Sequence, residues 1–277
     1  MLSKLYGSTG KILVFAMFTI LGSMIILPLI WMLFSSFKEN SEFFSDPWGL
    51  PRKFQWNNYV YAIKYGVGKY FTNSIIVTVL STIFTVFFSA LGAYVLSRFE
   101  FRSKDIIFIF ILGGMMISPE VNLVSLFKLL QKLNLYNKHI GLIITYCTYQ
   151  FSFTVLLMRS YMLSMSRSME ESAFIDGCSS FNVFIYIILP ISKPVLASGA
   201  LLSTMHTWNE YMFATVFIES DKLKTIPVGL VTLKSALKTN YPILISGLVI
   251  SAAIMIILFL IFQKQFIRGL SEGSIKE

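Results

Sequence analysis

"EESAFIDGCSSFNVFIYIILP", Glu170 to Pro190, carries three acids and a Gly in its first half and an apolar run ending in Leu-Pro in its second. It is too polar to cross a bilayer, yet uncharged or nearly uncharged runs of spanning length, Ile140 to Met158 and Pro194 to Ile218, flank it. Ser168 followed by Glu171 fits a capping box, and Gly177 can leave a helix with positive φ, so the pattern predicts a helix of about eight residues, two turns long. So short a helix is unstable alone and needs a surface to dock on. Leu189 and Pro190 then break the chain before Pro194 opens the next helix, where Pro is tolerated in the first turn. On local pattern alone, a lever docking on a partner and a surface helix joining two spans fit equally well.

The rest of the chain sets this stretch in a membrane. Of 277 residues, 55% are hydrophobic and only 13% charged, against about 25% charged in a soluble domain, and the mean hydropathy is +0.70. Six spanning helices are expected, at about residues 12–34, 71–97, 106–127, 140–158, 194–218 and 241–262, each near the roughly 20 residues a span requires. Two of them are interrupted: 106–127 carries Glu120 beside Pro119, which marks a helix break, and 194–218 carries His206 and Glu210. The first run follows Lys4 and Lys11 as a signal peptide would, but it is long for one and no small-x-small site follows, so it is read as a retained helix. Cys147 and Cys178 lack the spacing of a disulfide framework or metal site.

The net charge of +9 sits mostly at span ends, which points to lipid headgroups and not to nucleic acid. With both termini on one side, ten Lys and Arg fall on that side and twelve on the other, but five of the six Arg share the side of the termini, three of the ten being Lys4, Lys11 and Lys276. The short, densely basic "RFEFRSKD" falls there too, so both termini and the 159–193 loop are assigned to the cytoplasm. On the other side, "DPWGLPRKFQWNNYVYAIKYG" reads as turns followed by a short aromatic helix lying at the interface. No internal repeat or soluble domain is visible.

Glu210 falls about 16 residues beyond Pro194, roughly 24 Å along a helix, and acids at such depth face a bundle interior or a watery cavity. His206, Trp208, Asn209, Glu210 and Tyr211 together offer an aromatic face and hydrogen-bonding groups that suit a sugar. Polar contact between helices accounts for them as well, and Asn73 with Ser74 poses the same choice. "GSTGK" (7–11) and "GVGK" (66–69) lack the G-x4-G-K-[ST] spacing of a phosphate loop.

One spacing is more specific. Glu171, Ser172, Ala173, then Gly177, Ile187, Leu189 and Pro190 resemble the E-A-A-x3-G-x9-I-x-L-P cytoplasmic loop of ABC importer permeases, with Ser172 in place of the usual Ala and Cys178 where Ala is common. "FTNSIIVTVLST" (71–82), "LSRFEFRSKD" (96–105), "ISPEVNLVSLFKLLQKLNLYN" (117–137), "WNEYMFA" (208–214), "TIPVGL" (225–230) and the tail "QKQFIRGLSEGSIKE" (263–277) are similar to the carbohydrate branch, specifically the smaller permease of maltose-type systems. The resemblance implies an all-α integral membrane fold of type I importer permeases. It implies a non-catalytic chain that works with a second permease, two ATP-binding subunits, an extracellular solute-binding protein and a carbohydrate. ATP and Mg would be bound by the partner ATPase, with no cofactor in this chain. It assigns the ATPase-coupling role to Glu170, Glu171, Ala173, Asp176, Gly177, Leu189 and Pro190, the acids meeting basic groups of the partner while Ala173 and Gly177 permit close approach. The competing readings are an ion-coupled secondary carrier, whose inverted repeats are not seen, and a membrane enzyme, for which no nucleophile–base pair or metal cluster stands out.

Overall fold

A computed structural model describes residues 8–236 and 240–272, and every regular element among them is helical. In chain order these are α1 (Ser8–Ser36), α2 (Asn40–Ser45), α3 (Asn57–Ala62), α4 (Gly68–Arg98), α5 (Lys104–Gly113), α6 (Pro119–Lys132), α7 (His139–Ser164), α8 (Ser168–Ile175), α9 (Ser180–Val183), α10 (Leu189–Ile191), α11 (Lys193–Asn209), α12 (Met212–Phe217), α13 (Ile226–Ala236) and α14 (Tyr241–Glu272). Lys4, Lys276 and the last residues of the family-like tail lie outside the described residues.

Four helices are long and apolar enough to cross a membrane, and two more spans arise if each of two bent helix pairs counts as one. The interrupted segments differ from straight spans. Lys104–Met116 and Pro119–Lys132 meet at 100°; Ser118 is extended and Pro119 lies in the first turn of α6, where its missing N–H costs nothing. The expected span over 194–218 is not one helix either. α11 stops at Asn209, Glu210 takes an extended conformation, and α12 starts anew at Met212. Preceding it, Ser180–Ile191 bends by 76° into Lys193–Asn209, so the break expected near Pro190 falls at Ser192. A wide π turn, Phe184–Ile188, leads into Pro190 and gives room where a Pro ring would crowd the preceding turn.

The expected separate interfacial helix is also corrected. α3 runs through a π turn, Ile63–Val67, directly into α4, making a 42-residue helix over Asn57–Arg98, about 63 Å long and well beyond a hydrocarbon core of about 30 Å. The "GVGK" residues are therefore helical, as are Ser8 to Lys11. The 159–193 loop is shorter than expected, because α7 continues to Ser164.

The chain divides into two compact units, Met1–Lys69 with Leu230–Ala252, and Tyr70–Gly229 with Ala253–Glu277. In the first, buried Asn58 donates to the carbonyls of Ser36 and Lys38 at 2.9 and 2.8 Å, and Ser246 donates to Ser36 O at 3.1 Å, so the orphan carbonyls ending α1 are satisfied. In the second, α4, α7 and α11 pack through small residues. Gly199 on α11 is one: a Cβ there would stand 3.0 Å from Met158 Cε and 3.1 Å from Thr154 Cγ2, so close approach of α11 to α7 depends on its absence.

Candidate functional site

Residues 170–190 form a knob on the second unit. α8 spans Ser168–Ile175, the two turns expected. Its C-terminus closes as a Schellman motif, with Gly177 N donating to Phe174 O (3.1 Å) and Cys178 N to Ala173 O (2.9 Å), and Gly177 at φ +82°. An added Cβ on Gly177 would meet nothing within 4 Å. Within this chain the glycine is thus required by backbone conformation. The capping box does not form: Arg167 occupies the N-cap position without a side-chain cap, and Ser168 Oγ meets Ser166 Oγ instead.

Two of the expected partner-facing residues point inward. Glu170 Oε1 lies 2.7 Å from Arg98 Nε, with both side chains 6% exposed. The N–H does not aim along that line, so this is an ion contact and not an aligned hydrogen bond. Ala173 is buried in the cluster of Tyr94, Met158, Met162, Val183, Phe184 and Ile188, where its small side chain lets α8 approach its own bundle. Glu171 and Asp176 remain exposed. So do Met169, Phe174 and Ile175, the last 86% exposed, and beyond α8 Phe181 and Tyr186. Leu189 is half-buried and Pro190 exposed beside the bend into α11.

The knob is fastened to the C-terminal end of α4. Arg159 Nε donates to Leu96 O (3.1 Å), Arg167 to Ser97 O and Arg98 to Met165 O (both 3.5 Å), and Tyr94 OH to Ser180 O (3.2 Å). Cations gathered on the last carbonyls of a helix are favoured by its dipole. Three of the five arginines on the side of the termini, Arg98, Arg159 and Arg167, thus converge on one place, and the guanidinium of Arg159 also lies 4.0 Å from the Phe108 ring centroid. Just beyond, a hydrogen bond from Lys104 holds the exposed Glu100 carboxyl below the usual carboxylate range.

The second set of candidates does not form one cluster. Glu210 sits in the gap between α11 and α12, accepting from Phe213 N (2.7 Å), Ala214 N (3.1 Å) and Tyr146 OH of α7 (2.5 Å). It caps α12, and its charge meets the positive end of that helix. It stands at the end of α11, about the 24 Å beyond Pro194 that was expected, where the helix breaks. Asn209 Nδ2 turns back to Met205 O (2.8 Å), His206 and Tyr211 are exposed, and Trp208 is buried with an edge contact to Phe71. Asn73 donates to Lys222 O and Lys224 O (2.7 and 2.9 Å), and Ser74 Oγ accepts from Ile226 N (2.8 Å). Both fasten the 222–226 segment to α4. Trp208 and Phe71, with Thr78, Thr82, Thr204 and Ile257, line a largely apolar groove of about 460 Å³. Among the described residues no group of three His, Cys, Asp or Glu could hold a metal ion.

The class of protein is that of multi-span helical membrane proteins with interrupted spans, one break being capped by Glu210, and with a short helix docked on the second unit. Residues 87–272 match the family of binding-protein-dependent transport system inner membrane components, and the chain belongs to that family. It is 48% identical over 249 residues to the probable ABC transporter permease protein YurM of Bacillus subtilis (90% of this chain, 83% of that one). It is 32% identical to the arabinooligosaccharides transport system permease protein AraQ of the same organism (97% of each) and 34% identical to the trehalose/maltose transport system permease protein MalG of Thermococcus litoralis (91% of each). In fold it is similar to a chain in the crystal structure of a bacterial ABC transporter involved in the import of the acidic polysaccharide alginate, at TM-score 0.80 and 23% identity, covering 95% of this chain and 99% of that one. The chain is therefore a multi-pass membrane permease of an ABC importer, a non-catalytic subunit of a larger transporter.

Proposed function

We infer that this permease forms the translocation path for a sugar or oligosaccharide together with a second permease subunit. Two ATP-binding subunits, which bind the ATP and Mg, drive it, and an extracellular solute-binding protein delivers the carbohydrate. Both termini and the α8 knob face the cytoplasm. The carbohydrate assignment is supported by relatives named for arabinooligosaccharides and for trehalose and maltose.

The observation that carries the coupling role is the two-sided character of α8. Its inner side is held by Ala173 and the Glu170–Arg98 contact, while Met169, Phe174 and Ile175 stand exposed. Glu171 and Asp176 add exposed acids for basic groups of the ATPase. Force applied to this knob passes through α9 and the bend at Ser192 into α11. A cysteine replacing Ile175 should cross-link to the ATPase subunit in the assembled transporter, and Ile175→Asp should lower solute-stimulated ATP hydrolysis. Absence of any cross-link, together with full activity of the Asp variant, contradicts the coupling role.

A further inference from the structure

The segment joining α1 to α3, residues 37–56, is not absorbed by transport or coupling, and it is built as a rigid wedge. Lys38, buried, directs its ammonium to the carbonyls of Asp46 (2.7 Å) and Pro47 (3.1 Å), and Trp31 Nε1 donates to Pro47 O as well (2.8 Å). Asp46 Oδ1 accepts from Gly49 N (2.9 Å), Glu42 Oε1 from Arg52 N (2.7 Å), and Gln55 N donates to Phe37 O (2.8 Å). This internal bonding leaves the apolar side chains outside. Trp48 is 83% exposed, and Phe44, Leu50, Phe54 and Trp56 are exposed beside it. A loop in water gains nothing by fixing so many large apolar groups outward.

Its depth is set by α1. None of residues 10–34 is buried, burial beginning only at Ser35 and Ser36, and the 29 residues of α1 extend about 44 Å, close to the roughly 40–45 Å of a bilayer with its headgroups. The wedge starts one residue after α1 ends, so with α1 spanning the bilayer it begins at headgroup level, continuous with an exposed apolar helix. Arg52 and Lys53 are exposed among its aromatic rings, the pairing of aromatic body and cationic rim that fits the interface of a membrane containing anionic lipid.

We propose that residues 37–56 form a bilayer-embedded wedge, with Trp48, Leu50 and Trp56 seated at the level of the upper acyl chains and Arg52 and Lys53 on anionic headgroups. The test uses the complete transporter in nanodiscs of phosphatidylcholine with phosphatidylglycerol, the acyl chains brominated either near the headgroup or near the bilayer centre. Tryptophan emission of Trp48 is taken as the difference between the native complex and W48F, which alters one exposed ring, and that of Trp56 likewise from W56F. Shallow bromines should quench this emission at least about twofold, more than deep bromines, while aqueous acrylamide has little effect. Quenching by acrylamide and not by bromolipid overturns the proposal in favour of a water-facing surface. Insensitivity to both quenchers, or acrylamide quenching that is relieved by adding the solute-binding protein, overturns it in favour of a protein contact. The proposal stands apart from the transport reading, since loss of coupling leaves the quenching unchanged.

Discussion

Replacing Glu170 with Gln removes the charge facing Arg98 while keeping the size of the side chain. At 2.7 Å and an effective dielectric of about 20, two unit charges attract by about 6 kcal/mol. Desolvation of both ions consumes most of that, but an Arg98 left buried without its counter-charge costs about 3–5 kcal/mol. At roughly 2–4 °C per kcal/mol for a chain of this size, Glu170→Gln should lower the unfolding midpoint by about 6 °C or more, and Arg98→Met should do the same. Because the pair is poorly aligned, the double variant R98M/E170M should recover to within about 1–2 kcal/mol of the native protein. The assay is thermal unfolding of the permease pair in nanodiscs, with and without the ATP-binding subunits. An internal anchor gives the same loss in both samples. If Glu170→Gln is harmless without the ATPase and harmful only with it, Glu170 contacts the partner and the inward geometry is wrong.

Other perturbations test separate joints. Gly177→Ala, forced to φ +82°, should cost about 1–2 kcal/mol in the same unfolding assay, with Gly177→Asn milder. Ile175→Asp, on an exposed face, should stay within about 0.5 kcal/mol of native stability while solute-stimulated ATPase activity falls, so that coupling and folding separate. Tyr146→Phe removes a charge-assisted bond to Glu210 and should cost about 1.5–3 kcal/mol; if Glu210 is purely structural, the substrate KM of residual uptake does not change.

Legibility in the sequence followed the strength of the local signal. Uncharged runs announced the continuous spans, because length and composition alone satisfy the bilayer, and Gly177 announced the end of α8, because few residues other than glycine take its φ readily. The break at Glu210 was missed. A single acid in an apolar run fits a path lining and polar contact between helices alike until Tyr146, 64 residues away, and the N–H groups of α12 are seen to satisfy it. Glu170 and Ala173 were assigned outward for a related reason: spacing identifies a motif but does not fix which side of a two-turn helix faces its own bundle. Arg98, paired to Glu170 across 72 positions, had left a sequence trace only in the bias of arginine toward one side.

As a non-catalytic permease subunit, this chain is a gate driven by other subunits. In proteoliposomes, uptake of the transported sugar against its gradient should require the second permease, the ATP-binding subunits, the solute-binding protein and ATP together, and the chain alone should accumulate none. Accumulation by the isolated chain under an imposed proton or sodium gradient contradicts the account and makes it a secondary carrier.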